Sequence, residues 1–152
     1  MKTSEQGIAL IKKWESLQLK SYICPSGKWT IGWGHTGFDV VPNSEITEAK
    51  AVDLLIHDIK PIENFLNVKI NRTLKQPQFD ALVSFIFNIG MGAFERSTIK
   101  NEILKDPNSV KIHAEFLRWK FGTRNGRKVA MPGLENRRRD EAALYFKEII
   151  ES

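Results

Sequence analysis

Three side chains with the chemistry of an acid–base site stand at short intervals near the N-terminus: Glu15, Cys24 after eight intervening residues, and Thr30 after five more. A carboxyl can give a proton to a leaving group, an ionised thiol can accept one, and a hydroxyl can orient water. Spacing alone leaves a plainer alternative open, with Glu15 a surface residue that follows Trp14 and Cys24 a small buried hydrophobe. The run Trp29-Thr30-Ile31-Gly32-Trp33-Gly34-His35-Thr36-Gly37 is dense in aromatic, hydroxyl and glycine residues. Its glycines permit bends and close backbone approaches that a purely structural strand rarely needs. His35 within it either bonds its neighbours and supports the site or contacts a ligand.

For these residues to meet, Glu15 must end a helix while Cys24 and Thr30 share a hairpin. Thr3 and Gln6 have capping-box spacing and predict a first helix through about Trp14, with Ile8 and Ile11 as its apolar stripe and Glu15 falling angularly between them. Residues 20–23 and 28–34 read as short antiparallel strands around Pro25, Ser26 and Gly27. Thr47 caps a helix on which Ala51, Leu55, Ile59, Ile62 and Leu66 keep helical spacing, and Pro61 is expected to kink or split it.

Downstream the pattern is helical. Gln76 and Pro77 open a helix that ends before Gly90, expected as a left-handed cap, and Ser97 opens the next. Asp106 and Pro107 break that one, and Asn108 or Ser109 starts another through about Lys120. Residues 121–132 read as a basic loop or loose hairpin, and Gly133 precedes a last amphipathic helix ending near Ile150. Phe116, Trp119 and Phe121 are assigned to the core of this part. The expected fold class is α+β: one domain, 1–152, with an N-terminal lobe (about 1–46) bearing a small antiparallel sheet, a connecting helix (about 47–66) and an all-helical lobe (about 67–152). A cleft between lobes is the natural ligand site.

Composition excludes several classes. A hydrophobic fraction of 41% with 10% aromatics over 152 residues rules out a disordered, collagenous or membrane-bundle chain. The single cysteine excludes an intramolecular disulfide, and the apolar run at residues 8–11 is too short for a signal-peptide core or an anchor, so no stable membrane attachment is expected. The formal charge of +5 and pI near 9.4 favour polyanionic partners. A nucleic-acid-binding helical protein would explain the Arg137-Arg138-Arg139 triplet and the cations at 118, 120, 124, 127 and 128. No nucleic-acid motif accompanies them and the Trp/Gly/His run would stay unexplained, so no nucleic-acid partner is expected.

Four blocks carry a resemblance that spans nearly the whole chain: Ile11-Lys12-Lys13-Trp14-Glu15, WTIGWGHTG from Trp29, FNIGMGAFERST from Phe87, and PGLENRRRDEAALY from Pro132. In this order they resemble the phage endolysins of glycoside hydrolase family 24, the group that includes the T-even-type phage lysozymes. The resemblance implies a lysozyme-like fold and hydrolysis of the β-1,4 bond between N-acetylmuramic acid and N-acetylglucosamine in peptidoglycan, without metal or cofactor. It assigns Glu15 as general acid, with Cys24 and Thr30 at the two partner positions. Cysteine stands where better-studied members have aspartate, which leaves two mechanisms open. Cys24 and Thr30 place a water for inversion, which the resemblance favours, or the thiolate attacks and configuration is retained.

The resemblance also makes Arg137 the arginine that contacts the catalytic glutamate, against the alternative of a solvated basic face, and places Asn88 and Ser97 on the cleft. Ser97 reads equally as a helix N-cap and Asn88 as a polar residue near a helix end. The expected partner is the peptidoglycan glycan strand, with the chain a monomer made in the host bacterial cytoplasm and reaching the wall once a holin opens the membrane. A lytic transglycosylase or a catalytically lapsed wall-binding relative is the alternative.

Overall fold

The protein is described by a computed structural model covering residues 1–148. In chain order the elements are α1 (Glu5–Trp14), β1 (Gln18–Ile23), β2 (Trp29–Gly32), β3 (His35–Thr36), α2 (Glu48–Lys69), α3 (Gln76–Ile89), α4 (Met91–Glu95), α5 (Thr98–Lys105), α6 (Lys111–Leu117), β4 (Phe121–Arg124), β5 (Arg127–Ala130) and α7 (Pro132–Tyr145). This is the expected α+β class. The chain divides into two compact units, a smaller one of residues 11–61 and a larger one of residues 1–10 with the chain from Ile62 onward, so the boundaries fall inside α1 and α2.

In the smaller unit β1, β2 and β3 form an antiparallel sheet in that order. The stretch expected as one strand over 28–34 is two strands, β2 and β3, joined by a turn at Trp33 and Gly34. Gly32 and Gly34 hold φ of +68° and +78°, which side-chain-bearing residues rarely adopt, so this turn requires both glycines. Ile31, Trp33 and Val40 are buried, as are Ala51, Leu55 and Ile59 of α2. Each large apolar side chain taken from water contributes about 1.5–3 kcal/mol, which lets a three-stranded sheet this short persist.

The α2 stripe is buried at all five expected positions, from Ala51 to Leu66. Thr47 caps the helix, its Oγ1 accepting from the Lys50 N–H at 3.1 Å. Of the kink or split expected at Pro61, the split does not occur: α2 runs through it without a break. Ile59 and Ile62 are buried on either side of it, and burial of that stripe offsets the roughly 3 kcal/mol a proline costs inside a helix.

In the larger unit the capping box fails at one residue. The Thr3 hydroxyl donates to Glu63 Oε2 at 2.7 Å instead of serving α1, and the Ser4 carbonyl accepts the first helical bond, from the Ile8 N–H at 3.0 Å. Gly90 ends α3 with φ +91° and ψ 152°, a positive-φ but extended conformation and so not the expected left-handed cap; glycine alone enters it readily. It leads directly into α4, which the sequence pattern did not reveal. α6 is shorter than expected at both ends. The stretch taken as a loose hairpin is a regular one, β4 pairing with β5 through a two-residue turn in which Asn125 and Gly126 take φ of +53° and +75°.

The last helix starts at Pro132, placing Gly133 inside it, and ends at Tyr145; Ile150 lies outside the described residues. It packs on α3 and α6. It is not amphipathic in the expected sense, because its buried face carries Arg137, Arg138 and Glu141 beside Ala142, Leu144 and Tyr145. The aromatic core centres on Phe85, whose ring meets those of Phe94, Phe116 and Trp119 edge-on at 6.3, 5.2 and 5.9 Å. Phe121, expected in this core, is exposed and lies under the Lys120 ammonium instead.

Candidate active site

Glu15 follows the last residue of α1, its N–H still bonded to the Ile11 carbonyl at 2.9 Å, and is half-buried. A Cβ on Gly34 would stand 3.9 Å from Glu15 Oε2, so the turn between β2 and β3 passes directly beside the carboxylate. The Trp/Gly/His run is thus connected with Glu15 through its second glycine.

Cys24 sits at the base of the β1–β2 turn. Its N–H donates to the Lys28 carbonyl at 2.9 Å, its carbonyl accepts from the Gly27 N–H at 2.8 Å, and Gly27 supplies the positive φ of +83° that closes the loop. The half-buried thiol lies 2.8 Å from the Ser26 hydroxyl. Hydrogen bonds from the Ser26 and Thr30 side chains, with help from the backbone at Lys28, bring its pKa down to about 6, so the thiolate predominates at neutral pH. Thr30 is buried, pairs across the sheet with Tyr22, and its Oγ1 reaches the Lys28 carbonyl at 3.1 Å. A hydroxyl has one proton, so Thr30 donates either to that carbonyl or to the thiolate.

His35 is buried, and both of its ring nitrogens are engaged: Nδ1 lies 2.8 Å from Asp58 Oδ2 and Nε2 lies 2.9 Å from Asp39 Oδ2. Burial opposes the charged ring, but the bonds to Asp58 and Asp39 outweigh it and the pKa rises. Two donated bonds require the imidazolium, and both ring nitrogens are then occupied by the two carboxylates.

The remaining expected residues lie in the larger unit. Arg137 is buried, with Nη2 donating to the Ser84 carbonyl at 3.0 Å and Nε to Glu141 Oε2 at 3.2 Å. Of the triplet, only Arg139 belongs to a solvated face. Glu141 also accepts from the Ser84 hydroxyl at 2.6 Å and pairs with Arg138, whose guanidinium lies 5.0 Å from the Phe85 ring and donates to Asn88 Oδ1. Asn88 is therefore tied into a buried charge cluster from its exposed position at the end of α3. Burial raises the Glu141 carboxyl despite both cations, which makes the cluster costly to assemble and more costly to break. Ser97 has the geometry of an N-cap: its Oγ donates to the Phe94 carbonyl at 2.6 Å and accepts from the Lys100 N–H at 3.3 Å, opening α5.

Sequence reasoning missed Asp39, Asp58, Ser26 and Glu141. Glu141 carried a usable signal, since it stands four residues after Arg137 and three after Arg138, where helical side chains meet. Asp39 stands four after His35, but Asp58 lies on another element and had no local signature. Among the described residues no group of three or more His, Cys, Asp or Glu is placed to hold a metal ion, and no helix is long and apolar enough to cross a membrane.

The sequence profile of the phage lysozyme family matches residues 12–141. The chain is 41% identical over 145 residues to an endolysin of Acyrthosiphon pisum secondary endosymbiont phage 1, covering 95% of this chain and 98% of that one. It is 44% identical over 147 residues to the endolysin of Bacillus phage PZA, where it spans 95% of itself and 55% of the longer relative. The solved muramidase domain of SpmX from Asticaccaulis excentricus superposes with a TM-score of 0.91 at 34% identity, covering 97% of this chain and 99% of that one. Fold and sequence agree: the chain has the lysozyme-like fold and belongs to the phage lysozyme family of glycoside hydrolases.

Proposed function

We infer that this muramidase cleaves the β-1,4 bond between N-acetylmuramic acid and N-acetylglucosamine in peptidoglycan, with Glu15 as general acid and Cys24 and Thr30 handling the water. The observation that carries the reading is the hairpin of the smaller unit, which holds Cys24 against Ser26 and Thr30 while the following turn passes beside the Glu15 carboxylate. The Glu15 proton goes to the glycosidic oxygen as the C–O bond breaks. Water attacks the anomeric carbon from the opposite face, its proton passing to the Cys24 thiolate while Thr30 orients it. Cysteine is a poor acceptor until ionised, and a thiolate present at neutral pH removes that objection to it at an aspartate position.

In this account the 152-residue chain works as one monomeric lysozyme domain. It is made in the cytoplasm of a bacterial host and lyses that host once a holin opens the membrane. Inversion of a β-linkage yields the α-anomer first. Proton NMR of products within the first minutes of digestion tests this: a predominant β-anomer would replace water placement by attack of the thiolate on the sugar, and a 1,6-anhydro end would mean transglycosylation.

A further inference from the structure

Trp29 and Ile31 stand two apart on β2 and so share one face of the sheet, opposite to that of Thr30. Ile31 is buried there, but the apolar row continues past it toward solvent. Trp29 is half-buried, and its cross-strand neighbour Ile23 is 58% exposed. After β3 the chain turns at residues 37–40, where the Val40 N–H donates to the Gly37 carbonyl at 3.2 Å. Phe38 at the tip of this turn is entirely exposed, and Val41 just after it is 58% exposed. Lys28, Trp29, Phe38 and Val40 border one hollow of about 510 Å³, and none of the residues lining it is acidic. Asp39, the carboxylate next to Phe38, is bonded to His35 Nε2 at 2.9 Å. The catalytic reading uses none of Ile23, Trp29, Phe38 and Val41.

Apolar side chains scattered singly over a surface need no account, but Ile23 and Trp29 pair across the strands while Trp29 and Phe38 border the same hollow. We propose that this end of the sheet is a membrane-contact surface, on which Phe38 and Ile23 enter the interface of an anionic phospholipid bilayer and the Lys28 ammonium meets lipid phosphates. The occupant follows from shape and charge. A ring projecting from a turn enters a fluid interface without needing a matching cavity, and an indole beside it suits the headgroup level, where an apolar body and an N–H are both satisfied. A lysine stem can lie along apolar lining while its ammonium reaches a phosphate, and a hollow without carboxylates does not repel the anionic surface. So few side chains give a reversible contact, unlike an anchor or a spanning helix. The contact is independent of which bond the enzyme cleaves.

The test is flotation of the full chain with vesicles of phosphatidylcholine alone or mixed with phosphatidylglycerol, at low and physiological salt. Wild type should float with the mixed vesicles, less so at the higher salt, and its tryptophan emission should shift to the blue. Phe38→Ser should weaken binding about tenfold and Lys28→Gln about fivefold, while Phe38→Trp keeps it. Because Phe38 is wholly exposed, Phe38→Ser should melt with the wild type and digest membrane-free peptidoglycan at the same rate. No flotation of the wild type would overturn the proposal. Flotation that Phe38→Ser leaves intact would overturn it too, and assign lipid binding to basic charge elsewhere in the chain. A wild-type dimer that Phe38→Ser dissociates would give the face to a second copy, and slower digestion by Phe38→Ser would give it to the glycan; either result overturns the proposal. Absence of digestion by the wild type would refute the muramidase reading and leave the flotation result standing.

Discussion

Replacing Glu141 by glutamine tests whether the buried charges of α7 are held as one set. The carboxylate is fully buried and meets a cation at each oxygen: Oε1 lies 2.9 Å from Arg138 Nη1, and Oε2 lies 3.2 Å from Arg137 Nε and 2.6 Å from the Ser84 hydroxyl. An amide of the same shape offers one acceptor oxygen and an NH2 group. Either orientation therefore turns N–H groups toward existing donors and leaves two buried guanidiniums without their shared counter-charge. Breaking a buried ion pair from one side costs about 3–5 kcal/mol. Arg138 keeps its bond to Asn88 and its place over Phe85, which puts the expectation at the lower end, about 3 kcal/mol. For a chain of this size that corresponds to a fall in Tm of about 6–12 °C, read by circular dichroism at pH 7. A fall under about 2 °C would refute the reasoning and mean that water reaches the cluster.

Three further outcomes follow from the site and its supports. Cys24→Ser should lower kcat about 10²–10⁴-fold through loss of an ionisable acceptor, whereas Cys24→Asp should restore much of it. The acid limb of the pH profile, expected near the thiol pKa of about 6 in wild type, should move in Cys24→Asp to about 4; a limb that stays put would show that Cys24 does not set it. His35 has a raised pKa, so its contribution to stability is complete below the unfolded value of about 6.5 and is lost as pH climbs through the folded one. Thermal melts from pH 6 to 9 should therefore show a decline that Asp58→Asn flattens, and an unchanged slope would contradict the clamp. Ser97→Ala removes the α5 cap and should lower Tm by about 3 °C, or about 1 kcal/mol; an unchanged Tm would count against the cap.

What could be read from the sequence was local. The α2 stripe from Ala51 to Leu66, the cap at Ser97 and the Asn125-Gly126 turn each declare themselves through spacing or backbone preference within a few residues, and each is present. The Cys24–Thr30 association follows from a hairpin whose turn residues are contiguous. What escaped was set by partners distant in the chain. Thr3 has the right type for a cap, but a carboxylate from Glu63 competes for its hydroxyl. α4 has five residues and shares Gly90 with the end of α3, so neither length nor a separate cap marked it. Asp58 clamps His35 from 23 positions away, and the charged buried face of α7 looks like a solvated one until Ser84 and Phe85 are packed against it.

The most direct measurement is release of soluble, reducing-end muropeptides from purified peptidoglycan by the wild type and by Glu15→Gln, with products identified by mass. The glutamine keeps the shape beside Gly34 and cannot give up a proton. The account predicts hydrated reducing ends from the wild type and a loss of about 10³-fold or more in the variant. Retained hydrolysis in Glu15→Gln would contradict the assignment of the acid.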